Sequence, residues 1–338
     1  MTIYDIASEA EVSISSVSRY FNHPELISKK IRGKIDAVLE KHDFIPNQMA
    51  RGLVLNSTKS IGIMMNDIQH QRFSIIASHL EQSFFGWGYN TLFCNTGNDI
   101  QKIQQYLAML SSRRVDALIL IGSTFGNHDL RGQLKQYFSD IPVIASDTMI
   151  DLPNCHSVTV DHDYGIQSAV EHLVSEGHSN LAFIASTNSL NTARKEDAFH
   201  RALHSRGLPE HENGSVVRIP ITECQNPNFD FVSILRSSST AYTGLIFSTD
   251  RMAARAVSSI QYHGYRVPND YAIVGYDNSP YALCCQPTLT SIDTQSETIA
   301  KLMANLANDV FHQKETGNRI IIHPVLVIRG STRLQSDI

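Results

Sequence analysis

The sequence predicts an N-terminal all-α helix-turn-helix domain followed by a two-lobed α/β core with parallel sheets. Three observations carry this. Residues Ile3 to Asn22 place apolar and small side chains at helical spacing on either side of a short break. From Ser60 onward, apolar runs alternate with amphipathic stretches, the rhythm of βαβ units. That rhythm runs through twice, with near-continuous apolar strands that fit parallel sheets covered on both faces.

The first segment reads IYDIASEAEVSISSVSRYFN. Ile3, Ile6, Ala7 and Ala10 share one helical face, Thr2 caps the start, and Asp5 stands in the first turn. Glu11-Val12-Ser13 breaks the helix. Ser13 caps a second helix from Ile14 to Phe21, with Val17 and Phe21 turned toward the first. Ser15, Ser16 and Arg19 are left on the outer side, where such a helix fits a DNA major groove. Ser28 caps a third helix carrying Ile31, Ile35, Val38 and Leu39 at helical spacing. In FIPNQMARGLVLN (44–56), Pro46 interrupts helix continuity and Asn47 caps a short turn over Gln48 to Leu55. A helix of this length is marginal alone. It reads as a hinge that orders on contact with a partner.

In the core, strands are expected at 60–66, 89–95, 116–122 and 142–147, and again at 181–186, 215–221, 243–248 and 271–277. Helices are expected at 73–87, 100–112, 129–138, 164–175, 192–206, 229–237, 250–263 and 296–313. Ser157–Val160 reads as a short bridge between the two series, and 320–330 closes with strand character around Pro324. The expected domains are 1–46, a hinge over 47–58, and a core over 59–338. Its first lobe takes about 60–160 and 291–322, its second about 161–290 and 323–333. Ligands of open α/β sheets sit beyond the carboxyl ends of the strands, so both lobes can face one ligand.

Composition sets the class. The chain has 338 residues, 42% hydrophobic and 18% charged, with a net charge of -5. Residues 1–60 hold eight Lys/Arg and seven Asp/Glu, a balance of +1, which leaves -6 for the rest. DNA binding must therefore come from placed cations rather than abundant ones: Arg19, Lys29, Lys30, Arg32, Lys34 and Arg51. No apolar run is long enough for a bilayer, and the polar N-terminus does not read as a secretory leader, so a cytoplasmic location is expected. Five cysteines, with no C-x-x-C, do not form a disulfide or zinc framework.

With these parts in view, the chain resembles the lactose-repressor (LacI/GalR) family of ligand-responsive transcription regulators. The resemblance runs nearly end to end. It rests on IYDIASEAEVSISSVSRYFN, FIPNQMARGL, TKSIGIM, SSRRVDALIL, IPVIASD, SVTVDHDYG, EHLVSEGHSNLAFI, STDRMAARA, VPNDYAIVGYD, PTLTSI and VIRGSTR, in this order and spacing. It implies a periplasmic-binding-protein-like core and a homodimer on a palindromic operator. A small molecule, a sugar or sugar derivative, would adjust the affinity from the cleft. No leucine heptad follows GSTR, so a dimer rather than a coiled-coil tetramer is expected.

The resemblance also places residues. Base reading falls on Ile14, Ser15 and Arg19, with Ser16 beside them. An arginine can donate two hydrogen bonds to guanine O6 and N7, whereas Ile14 offers only apolar contact and the serines are short, so Arg19 is expected to carry most direct readout. Tyr4, Ser13, Ser18, Asn22 and Ser28 match positions that bond phosphates and set register. In the hinge, Leu53 matches a minor-groove wedge, flanked by Asn47, Ala50 and Arg51. Relatives commonly have Gly where this chain has Glu11, a turn that often needs a positive φ. For the effector, the matching positions are Arg72, Phe73, Ser123 and Asp147 in the first lobe and Lys195, Asp250 and Asp277 in the second. Asp147 and Asp277 would accept hydroxyl hydrogen bonds, Phe73 would pack on a ligand face, and Asp250 has a second reading as a helix cap. The family's R-x-x-G-[FYW] pattern appears here as KEDAF (195–199), without its glycine and with Arg194 adjacent. Arg72 with Lys195 would favour an acidic or phosphorylated sugar.

Two other classes fit the sequence less well. An enzyme acting in the cleft would need a phosphate loop or a nucleophile elbow, and neither is present. Asp161-His162-Asp163 reads as helix capping rather than a metal site. A secreted sugar-binding protein of similar fold would not carry the N-terminal helix-turn-helix. No cofactor is implied.

Overall fold

The structure is a computed structural model. It describes residues 2–22, 26–42, 57–185, 190–208, 214–220, 222–223, 226, 229–237 and 240–333. The hinge positions Asn47, Ala50, Arg51 and Leu53 lie outside the described residues, as does the side chain of Asn22.

Three helices form the N-terminal domain: α1 (Ile3–Glu9), α2 (Ile14–Asn22) and α3 (Lys29–Lys41). Thr2 and Asp5 make a reciprocal capping box that satisfies two backbone donors at the start of α1. The Ser13 hydroxyl accepts from the Ser16 amide at 3.1 Å, and that of Ser28 from the Ile31 amide at 3.4 Å. Ile6, Ala7, Ala10, Val17, Ile35 and Val38 form the small core, with Phe21 packed at its edge. A core this size leaves the domain marginal by itself. Tyr20 on α2 donates its hydroxyl to Asp36 on α3, which ties the second and third helices.

The core holds two sheets of six strands each. The first contains β1 (Ser60–Met65), β2 (Asn90–Asn95), β3 (Ala117–Ile121), β4 (Val143–Ser146), β5 (Cys155–Val160) and β11 (Arg319–Ile322), in the order β11-β5-β4-β3-β1-β2. All its pairings are parallel. The second contains β6 (Leu181–Ala185), β7 (Gly214–Arg218), β8 (Gly244–Phe247), β9 (Ala272–Tyr276), β10 (Thr290–Asp293) and β12 (Val325–Val327), in the order β12-β10-β9-β8-β6-β7. Here β12 runs antiparallel to β10, an edge the sequence does not announce. Helices α4 (Gln71–Gly86), α5 (Ile100–Ser112), α6 (His128–Phe138) and α11 (Ser296–Phe311) cover the first sheet. Helices α7 (His162–Ser175), α8 (Leu190–Ser205), α9 (Phe231–Ser237) and α10 (Asp250–Tyr262) cover the second. Strands covered on both faces explain why β3, β4, β6 and β8 are buried along their whole length.

The chain passes between the sheets after Val160, after Asp293 and at His323-Pro324. Two expectations change. Residues 157–160 are the end of a full strand, β5, paired on both sides, rather than a bridge. Residues 291–293 belong to the second sheet, so the return to the first lobe follows Asp293 instead of residue 290. Short apolar runs beside polar Ser and Thr do not show, from periodicity alone, which sheet they join.

Candidate DNA interface and interlobe cleft

On the N-terminal domain, Ile14, Ser15 and Arg19 lie exposed on α2, opposite the buried Val17. Ile14 is 44% exposed and Tyr4, on α1, is 65% exposed, which a packed core would not leave to an isoleucine and a tyrosine. Ser16 and Ser18 are half-buried, and Ser13 and Ser28 are exposed at the helix starts. The Ser13 hydroxyl also bonds the hydroxyls of Ser15 and Ser16, at 2.8 and 2.9 Å. These serines are thus partly committed to one another. Among the described residues Arg19 makes no ion pair. Lys34 and Lys41 on α3 instead face Glu11 and Glu9, at 3.4 and 2.7 Å. Arg19 is the cation that combines exposure, a position beside Ile14 and Ser15, and no local carboxylate. Glu11 has φ 51°, the left-handed region that glycine fills without strain.

The cleft is built from the carboxyl ends of the strands. Asn66 follows β1, Ser123 follows β3 in a 3₁₀ turn over Ser123–Gly126, and Asp147 follows β4. From the other lobe come Ser248 after β8 and Asp277 after β9, while Thr294 follows β10 at a crossing. His70 caps α4 by position and Arg72 and Phe73 lie in its first turn. Asp147 and Asp277 both have positive φ, 64° and 95°. Non-glycine residues hold such conformations where surrounding structure enforces them, and such sites concentrate at ligand contacts.

Arg72 is almost wholly buried. It donates to both oxygens of Asp147, at 2.5 and 2.8 Å, and through Nε to the Thr294 hydroxyl at 3.1 Å. Its Nε stands 3.9 Å from Asp277 in the second lobe. Burial works against both charges of the Arg72–Asp147 pair, and their mutual attraction outweighs it. Asp147 is held below, and Arg72 above, its ordinary pKa. Lys195 lies inside α8, its ammonium 3.3 Å from the centroid of the Tyr276 ring and donating to the Ser248 carbonyl at 3.3 Å. Burial pushes it down to about 8, with Asp277 opposing that shift. The adjacent Arg194 points outward, so Lys195 is the cation that faces the cleft. Ser123 is buried, and α8 packs on its turn.

Three readings of these residues are revised. The cap of α10 is Thr249, whose side chain accepts from the Met252 amide. Asp250 is buried and accepts from the Ser279 amide and hydroxyl, at 2.6 and 2.9 Å, and from the Ser291 hydroxyl at 2.5 Å. It pins the loop that carries Asp277 and has little acceptor capacity left for a ligand. Gly275 leaves room for it, since a Cβ there would meet Asp250 Oδ1 at 2.1 Å. Asp147 is engaged by Arg72, which limits what it can accept from a hydroxyl. The two cations Arg72 and Lys195 also do not add up to an anion site, because Asp147 and Asp277 stand against them.

Sequence reasoning missed Asn66, His70, His162, Tyr276 and Thr294. Asn66 Oδ1 and His70 Nδ1 are buried and, among the described residues, without hydrogen-bond partners. The His70 ring stacks on Phe73 with centroids 4.4 Å apart, and burial lowers its pKa. His162 bonds the Tyr276 hydroxyl at 2.6 Å, and burial holds that histidine neutral. The available signal was position: Asn66 follows a buried strand directly, and Tyr276 ends one. Among the described residues no group of three His, Cys, Asp or Glu could hold a metal ion, and no helix is long and apolar enough to cross a membrane.

Comparison with known proteins agrees with this architecture. Residues 2–47 match the bacterial regulatory proteins of the lacI family, and residues 170–332 match a periplasmic binding protein-like domain. An HTH-type transcriptional regulator of Lachnoclostridium phytofermentans is 30% identical over 337 residues, covering 98% of this chain and 99% of its own. The HTH-type transcriptional repressor PurR of Haemophilus influenzae (strain PittEE) is also 30% identical, covering 98% of both chains. Catabolite control protein A of Priestia megaterium is 28% identical over 98% of this chain and 99% of its own. Among solved structures, the lac repressor dimer bound to operator and the anti-inducer ONPF superposes with a TM-score of 0.83 at 22% identity, covering 98% of this chain and 99% of that one. The structure of CelR with cellobiose gives 0.68 at 20% identity, with the same two shares. These shared domains, in one order along nearly the whole chain, make this protein a transcriptional regulator of the lacI family.

Proposed function

We propose that the protein is a cytoplasmic repressor that binds a palindromic operator as a homodimer, and that a small molecule in the interlobe cleft sets its operator affinity. The effector is a sugar or sugar derivative without a negative charge. The observation that carries the cleft reading is the pair Asp147 and Asp277. Both end strands, both have positive φ, and they come from opposite lobes onto one buried guanidinium. Beside them Asn66 Oδ1, without a partner among the described residues, can accept hydrogen bonds, and His70 Nδ1 can do so in the tautomer that leaves it unprotonated. Asp277 can accept from two adjacent hydroxyls. A hydroxyl-rich neutral ligand satisfies such groups, whereas a phosphate finds both cations already countered. The CelR–cellobiose structure and a regulator of Alkaliphilus metalliredigens with D-xylulofuranose show sugars in proteins of this fold.

On DNA, α2 enters the major groove. Arg19 reads a guanine, Ile14 meets a thymine methyl, Ser15 and Ser16 make short contacts, and Tyr4, Ser13, Ser18, Asn22 and Ser28 bond phosphates. Leu53, flanked by Asn47, Ala50 and Arg51, wedges the minor groove at the operator's centre. Effector binding changes the angle between the lobes and so the spacing of the two hinges. The test is operator binding by the full chain, read by gel shift on DNA upstream of its own gene, with and without a library of neutral and phosphorylated sugars. Loss or gain of the shift with a neutral sugar supports the reading. A response confined to phosphorylated sugars contradicts the effector class, and no shift on any neighbouring promoter contradicts the operator assignment.

A further inference from the structure

Four charges of alternating sign, three buried and one half-buried, meet where the lobes face each other. Asp147 and Arg72 come from the first lobe, Asp277 and Lys195 from the second. Arg72 is the link. Its two terminal nitrogens hold Asp147, its Nε holds Thr294 where the chain returns from the second sheet, and it stands 3.9 Å from Asp277. Asp277, 9% exposed in its side chain, in turn lies within the field of Lys195. Uncharged groups packed around the array include Tyr276, the neutral His162, His70, Phe73 and Thr294.

We propose that this array is an internal strap, with Arg72 holding the lobes closed when no small molecule is bound. The proposal rests on the cleft reading above and adds its regulation. Removing the guanidinium would leave two carboxylates from opposite lobes with only the Lys195 ammonium to counter both, and like charges at close range in a dry site favour separation. With an apolar residue at 72, closure would need a ligand to supply the donors that Arg72 now supplies. Closure by the strap is incomplete, because Asn66 Oδ1 and His70 Nδ1 stay unpartnered among the described residues. A ligand therefore still gains by entering, but it works against a preset closed state rather than creating one.

Amide hydrogen exchange on the full chain, with no ligand added, tests this. The strap predicts that in Arg72→Leu the amides of residues 67–73 and 277–279 exchange roughly tenfold faster through local opening, in addition to the rise in β3 and β8 that the variant's lost global stability brings. Asp277→Asn weakens only the cross-lobe half and leaves the Arg72–Asp147 pair in place. It should give a smaller increase in the same two segments, and it decides the question if Arg72→Leu does not fold. Wild-type rates in both segments of Asp277→Asn overturn the strap, as does a wild-type protein that already exchanges there like an exposed loop. In Asp277→Asn, which keeps the buried Arg72–Asp147 pair, an increase spread evenly over β3 and β8 also overturns it, since that marks general destabilisation. No effector enters the measurement, so a protein that shows this pattern yet binds no sugar keeps the strap and loses the effector reading.

Discussion

Arg72 and Asp147 share two hydrogen bonds at 2.5 and 2.8 Å, and both side chains are shut off from bulk water. Such a pair is worth most as a pair. Arg72→Leu leaves a buried, unpaired carboxylate and should cost about 3–5 kcal/mol in urea unfolding. Adding Asp147→Leu removes that charge, so the double variant should be more stable than Arg72→Leu alone. A double variant whose loss equals the sum of the two single losses would show that the residues do not act together.

Asp250 gives a pH dependence. Burial holds its carboxyl up at about 7 in the folded chain, against about 3.9 in the unfolded one. Between these values the folded state binds a proton that the unfolded state has lost. The stability from this group is therefore fully present below about pH 4 and is lost as pH rises through 7. Asp250→Asn keeps a neutral side chain throughout. Relative to it, the wild type should lose roughly 2–4 kcal/mol between pH 4.5 and 7.5. Urea titrations of both proteins at the two pH values measure this, and a pH-independent difference would count against a protonated Asp250.

Glu11 sits at φ 51° between α1 and α2. Replacing it with Gly removes the Cβ strain but gives up an exposed contact with Lys34 that contributes little. Glu11→Gly should stabilise the N-terminal domain by about 0.5–1 kcal/mol. Slower amide exchange in α1 and α2 of the full chain would record it. Faster exchange there would mean that the turn is held by Glu11 itself.

Arg19→Ala should lower operator affinity by about 1–3 kcal/mol per half-site and relax preference at one base pair in each. Binding to a set of single-base operator variants reads this directly. A uniform loss across all variants would assign Arg19 to the phosphate backbone instead.

The fold was largely legible because its signals are local. Caps at Thr2, Ser13 and Ser28, the face of Ile6, Ala7, Ala10 and Val17, and the strand runs at 60–65, 117–121 and 244–247 are written in consecutive residues. The sheet change at Asp293 and the antiparallel β12 depend on pairing between distant segments, which spacing does not encode. In the cleft, family position brought Arg72, Phe73, Ser123, Asp147, Lys195 and Asp277 to one region. It did not give their partners. Arg72 looked like a free cation until Asp147 lay against it, and Asp250 looked available until Ser279 and Ser291 filled its carboxylate. The place of Asn66 after β1 was readable, but that its Oδ1 and the Nδ1 of His70 are buried without partners among the described residues was not, because that is a property of packing alone.

If the state of the cleft sets operator affinity, perturbing the cleft without ligand must change that affinity. The most direct test is a titration of one palindromic operator, selected from a random-sequence library, with wild type, Asp277→Asn and Arg72→Leu, all as full chains without ligand. The DNA-reading helices are untouched in both variants. The expected outcome is an operator Kd changed by about 5- to 150-fold, in the same direction for both variants, with binding to non-operator DNA unchanged. Operator affinities equal to wild type, in variants whose cleft exchanges faster, would contradict it.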